Sequence, residues 1–112
     1  MVRNAKWQKF EDLICALLQE IDSRIRPTKG SGNSTENYDI NTSCGLAIEC
    51  KDYNTDSVYQ EKWMQKVIEE VPLHVERLPV LFTRNKDGKI RAHLDGEDFI
   101  KMYIEFYKLK QG

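Results

Sequence analysis

The chain has 112 residues, with 17 Lys+Arg against 18 Asp+Glu and a formal net charge of −1. That length gives one domain, residues 1–112, and no second core. Hydrophobic residues at 40% and charged residues at 31% exclude a disordered or fibrous chain. No apolar run reaches the roughly 18 residues a membrane helix needs, and the near-neutral balance counts against a strongly basic nucleic-acid binder.

The first segment, from Asn4 to about Asp22, has the periodicity of a helix. Asn4 is its expected N-cap. Phe10, Leu13, Ile14, Leu17 and Ile21 share one face, and Glu11 falls at the rim of that stripe. Ile25 to Pro27 starts a short extended piece. Residues 28–35 are rich in Gly, Ser, Asn and Thr and form a polar loop. Glu36 to Thr42 is expected as a strand, then a turn at Ser43-Cys44-Gly45, then a second strand from Leu46 to Asp52. On that strand Leu46, Ile48 and Cys50 point one way, and Ala47, Glu49 and Lys51 the other. The short connection implies an antiparallel hairpin.

Ser57 and Gln60 have capping-box spacing at the start of a helix that runs to about Val71. Its apolar side is Trp63, Met64, Val67 and Val71, expected as core or interface. Pro79 to Thr83 is an almost wholly apolar run, as in a buried strand. A turn at Asn85-Lys86-Asp87-Gly88 returns the chain as a strand from Lys89 to Leu94. Asp95 caps a last helix, with Phe99, Ile100, Tyr103, Phe106 and Tyr107 as its packing side. The alternation implies an α/β domain: a central mixed sheet of about five strands flanked by helices.

Cysteines 15, 44 and 50 are odd in number and form no CxxC pair, and the first residues lack the apolar core of a signal peptide. This fits the reducing cytoplasm, with the thiols as small buried groups. His74 and His93 lie near no cysteine in sequence, so a zinc site has little support.

One constellation carries chemistry. Glu49 and Lys51 are two apart on one strand and share a face, and Asp39 joins them if the hairpin pairs as expected. Two carboxylates supply the oxygen ligands that Mg²⁺ prefers, and a neighbouring ammonium stabilises developing negative charge. A metal there would activate water and clamp a phosphate oxygen, which is equipment for phosphodiester hydrolysis. Against this, Glu-x-Lys is common on solvated sheet faces as a weak surface ion pair. The apolar neighbours Leu46, Ala47, Ile48 and Cys50 make the strand look central, which favours the chemical reading.

The pattern Tyr38-Asp39-Ile40 … Ile48-Glu49-Cys50-Lys51 resembles the PD-(D/E)XK motif of restriction-endonuclease-like nucleases. The wider chain resembles the archaeal and bacteriophage Holliday-junction resolvases. Glu11 matches their N-terminal helix glutamate, and Arg26 to Gly32 matches their basic Gly/Ser loop. Residues 58–63, 79–82 and 97–99 look like the phage-type members. Tyr38 stands where the motif name has proline. The resemblance implies a restriction-endonuclease-like three-layer fold. It also implies Asp39, Glu49 and the Cys50 carbonyl as ligands of Mg²⁺ (with Mn²⁺ able to substitute), Glu11 completing the site, and Lys51 at the reacting phosphate. Products would be a 5′-phosphate and a 3′-hydroxyl.

Branched DNA, a four-way junction, would be the partner. A homodimer would supply the two active sites that symmetric cutting needs, in the cytoplasm of the cell or of a virus's host. Arg26, Lys29, Gly30, Ser31 and Gly32 are the expected phosphate-binding loop, with Gln60 and Lys62 from the middle helix. Other readings are a nicking, repair or restriction-type nuclease on the same fold, and a catalytically silent DNA-binding module. The charge of −1 weighs less after this, because Glu11, Asp39 and Glu49 belong to a pocket that a cation would neutralise.

Overall fold

A computed structural model describes residues 9–27, 40–41, 44–52, 59–72 and 75–112. The elements are α1 (Phe10–Leu18), β1 (Arg26–Pro27), β2 (Ile40–Asn41), β3 (Leu46–Asp52), α2 (Glu61–Glu70), β4 (Leu78–Arg84), β5 (Ile90–His93) and α3 (Gly96–Gln111). They give a mixed α/β fold with three helices and one mixed sheet, in the order β1-β2-β3-β4-β5. β1 and β2 are only two residues each, so the body of the sheet is β3, β4 and β5. β3 pairs parallel with β4, and the other pairings are antiparallel. The expected hairpin forms, with Ile40 opposite Ile48.

The strict alternation of β3 sorts its side chains into two cores. Ile48 packs with Phe10, Ile14 and Cys15 of α1 and with Ile25 and Ile40, and Leu46 and Cys50 lie against the same cluster. Ala47 packs on the other face with Met64 and Val67 of α2 and with Leu81. Each fully buried aliphatic side chain contributes about 1.5–3 kcal/mol of transfer free energy, and these two clusters hold the helices on opposite faces. Gly45 and Gly88 have φ of 86° and 82°, left-handed values at the turns before β3 and before β5. At the second turn the Asn85 side chain accepts from the Asp87 and Lys89 amides at 3.0 and 2.9 Å.

Three expectations need correction. The first helix ends at Leu18, not near Asp22, and Leu17 and Ile21 are exposed. The chain turns there: the Gln19 side chain donates to the Ile25 carbonyl at 2.9 Å, which folds the segment toward β1. The expected N-cap, Asn4, lies outside the described residues. Second, Gln60 is the N-cap residue of α2, but its side chain makes no capping bond; Ser57, its expected partner, is outside the described residues. Third, α3 begins as expected, with the Asp98 amide donating to the Asp95 side chain at 3.0 Å, yet none of its residues is buried. Its apolar side packs no core. No described helix is long and apolar enough to cross a membrane.

Candidate functional site

The α2-facing side of the sheet is where the polar constellation forms. β3, β4 and β5 align Glu49 with Leu81 and His93, and Lys51 with Thr83 and Arg91. Glu49 is central in β3 and only 2% exposed. Its Oε2 lies 3.4 Å from Lys51 Nζ and 3.3 Å from Lys66 Nζ on α2. Its Oε1 is buried with no hydrogen-bond partner. A buried carboxylate oxygen without a partner costs a few kcal/mol, so the second lone-pair site of Glu49 is built at an expense to stability.

The two ammoniums are not equivalent. Lys51 is less than one-quarter exposed and sits 5.5 Å from the centre of the half-buried Trp63 ring. Trp63 itself leans on the α2 core cluster, in keeping with a packing role. Lys66 is half exposed and is also 3.9 Å from Glu70 Oε2. Further along the same face, the buried Thr83 hydroxyl is 3.0 Å from His93 Nε2, and the Tyr59 ring contacts His93 with centroids 4.7 Å apart. Burial lowers the His93 pKa, and the positive Arg91 lowers it further. His93 is therefore a neutral imidazole near pH 7.

Among the other expected site residues, Asp39, Lys29, Gly30, Ser31 and Gly32 lie outside the described residues. Glu11 is half-buried in the first turn of α1, and α1 covers the sheet face opposite the one toward which Glu49 points. Cys50 points toward the α1 core with Phe82. Arg26 is exposed, and its Nη1 donates to the Ser23 and Ile25 carbonyls at 2.7 and 2.8 Å. Gln60 and Lys62 are exposed at the start of α2. Glu49 and Lys51 are thus brought together, and no three His, Cys, Asp or Glu side chains converge as a cation site among the described residues.

Sequence reasoning missed Lys66, Thr83 and His93 as neighbours of this site. Lys66 follows Lys62 by one turn on α2, but only the parallel β3–β4 crossover carries that helix over Glu49. Thr83 is the one polar residue of the run Pro79–Thr83 within β4, a signal that was available. Elsewhere, burial pushes the Cys15 thiol up to about 11, helped by the charges of Asp12 and Glu11. This makes Cys15 an inert core group, as expected.

No family model, curated protein or solved structure matches the chain.

Proposed function

We propose that the protein is a Mg²⁺-dependent, structure-selective DNA endonuclease of the restriction-endonuclease-like fold, most simply a resolvase of four-way junctions acting as a homodimer. The observation that carries this reading is the unpartnered, buried Oε1 of Glu49 beside Lys51. An orphaned hard oxygen in a half-buried sheet face fits a hard divalent cation. Helices on both faces of a mixed sheet also suit the proposed three-layer fold.

In this reading Glu49 holds the cation together with Asp39, with the Cys50 carbonyl as a further candidate. The bound Mg²⁺ supplies charge neutralisation and a more acidic water. The chain's own residues do the rest. Lys51 holds a positive charge where a phosphate oxygen gains negative charge in the transition state. Its position against Trp63 fixes that ammonium in advance. Arg26, Lys29 and Lys62 neutralise DNA phosphates, with Gly30, Ser31, Gly32 and Gln60 contacting the same backbone, so binding weakens steeply with salt.

A second reading, a catalytically silent DNA-binding module, is favoured by one observation: two ammoniums already neutralise Glu49 Oε2. Cleavage of a labelled four-way junction beside linear duplex, in Mg²⁺ and in EDTA, separates the readings. Junction cutting in Mg²⁺ alone is the expected result. Equal cutting of both DNAs points to a nicking, repair or restriction-type nuclease instead. Tight junction binding with no cutting in any divalent metal leaves the silent module.

A further inference from the structure

The helix α3 has sixteen residues, and none is buried. Eight of the twelve exposed large apolar side chains among the described residues are on it, from Phe99 to Leu109, each 46–79% exposed. Ring contacts join them along the helix: Phe99 with Tyr103, and Tyr103 with Phe106, at centroid distances of 6.1 and 5.9 Å. Phe99, Met102, Phe106 and Leu109 follow a three-four-three spacing, the seam of a helix that packs along another helix. Ile100, Tyr103 and Tyr107 widen that seam on one side. The polar residues Glu97, Lys101, Glu105 and Lys108 share the opposite arc.

From this we infer that α3 is a dimerisation helix that pairs antiparallel with α3 of a second copy of this chain. Three features select that occupant. The other exposed large apolar side chains, Leu17, Ile21, Tyr59 and Ile68, are scattered over α1, the following turn, the segment before α2 and α2 itself. The described surface therefore offers no apolar patch to match α3 except another α3. Charge selects the direction. At the border of the seam the first turn carries Asp98, and the last turn carries Lys110, whose Nζ lies 5.5 Å from the centre of the Phe106 ring. An antiparallel pair sets acidic end against basic end twice, as a two-fold axis requires, and opposes the helix dipoles favourably; a parallel pair sets like ends together.

Area is the third feature. Aromatic side chains carry on the order of 200 Å² each. At half exposure, eight large side chains offer roughly 800 Å² per protomer, which is the scale of a stable interface. Along the whole helix Glu97, Asp98 and Glu105 balance Lys101, Lys108 and Lys110, so α3 has no excess charge for a nucleic acid. The inference does not rest on the nuclease reading, since its readout is mass and not cleavage.

Sedimentation velocity of the full chain tests it. The wild type is expected to sediment as a dimer. Phe106→Glu should weaken the dimer at least about thirtyfold without loss of helical circular dichroism, because Phe106 supports no core. Lys110→Glu should also weaken it, and adding Asp98→Lys should restore it. Three results overturn the inference. One is a monomeric wild type, including one whose α3 amides are protected from exchange by its own chain. The second is a Phe106→Glu variant that stays dimeric. The third is charge reversal that weakens the dimer but is not restored by the double variant, which removes the antiparallel arrangement.

Discussion

Two charged side chains are buried among the described residues, Glu49 on β3 and Arg84 on β4, and the protein treats them in opposite ways. Arg84 faces the α1 side. Its Nε and Nη2 bind Asp52 Oδ1 and Oδ2 at 3.1 and 2.6 Å, and its guanidinium lies 4.8 Å from the centre of the Phe10 ring. That is a bidentate, stacked arginine with its planar geometry used in full. Glu49 faces the α2 side. One of its oxygens is held by two ammoniums and the other has nothing. The unsatisfied oxygen of Glu49 is the observation on which the proposed cation site rests.

The largest expected contrast comes from removing each charge. Under the proposed nuclease reading, Glu49→Gln should lower junction cleavage by about a hundredfold or more, because it removes a ligand of the proposed cation. Chemical denaturation should move by only about 1 kcal/mol, since Lys66 is half exposed and can return to water. Arg84→Ala should do the reverse, costing about 3 kcal/mol or more in the same denaturation. It removes the contact with Phe10 and the partner of Asp52. Arg84→Lys should recover little of this, since an ammonium cannot make the bidentate fork. If Arg84→Ala proved harmless to stability while Glu49→Gln unfolded the chain, the contrast would be inverted.

A smaller effect separates the two lysines at Glu49. Lys66→Met removes a half-exposed ammonium that competes with a cation, a contact worth about 1 kcal/mol. The Mg²⁺ concentration for half-maximal cleavage should fall roughly three- to fivefold. Lys51→Met should instead lower the rate at saturating Mg²⁺. Equal behaviour of the two variants would deny Lys51 its special place.

The smallest effect is set by pH at the far end of the same face. The folded His93 has a lowered pKa, so the unfolded chain takes up the proton more readily. Stability is therefore full above the unfolded value of about 6.5 and falls as pH drops below it. In His93→Gln the thermal midpoint should lose this part of its pH dependence. An unchanged pH profile would mean that another group governs it.

These contrasts mark where the sequence was informative. The alternation Leu46-Ala47-Ile48-Glu49-Cys50-Lys51 was enough to give β3 its bounds and both its faces, and the Asp95 cap was readable because capping is local. Arg84 and Lys66 were not readable as partners of Asp52 and Glu49. The Arg84 bond spans 32 residues of sequence and the Lys66 bond 17, and both depend on a parallel register that no local signal encodes. The apolar spacing of α3 was legible, but the packing side expected from it is exposed, because spacing says that a helix wants cover and not which surface supplies it. The Asp39 half of the proposed cation site rests on the motif resemblance, while the Glu49 half rests on geometry.

Direct binding of Mn²⁺, followed by the loss of its free electron-paramagnetic-resonance signal, tests the Glu49 assignment most closely. The wild type should take up Mn²⁺ without DNA, Glu49→Gln should bind it at least about tenfold more weakly, and Arg84→Lys, where folded, should bind as the wild type does. Equal Mn²⁺ affinity in wild type and Glu49→Gln would contradict the account.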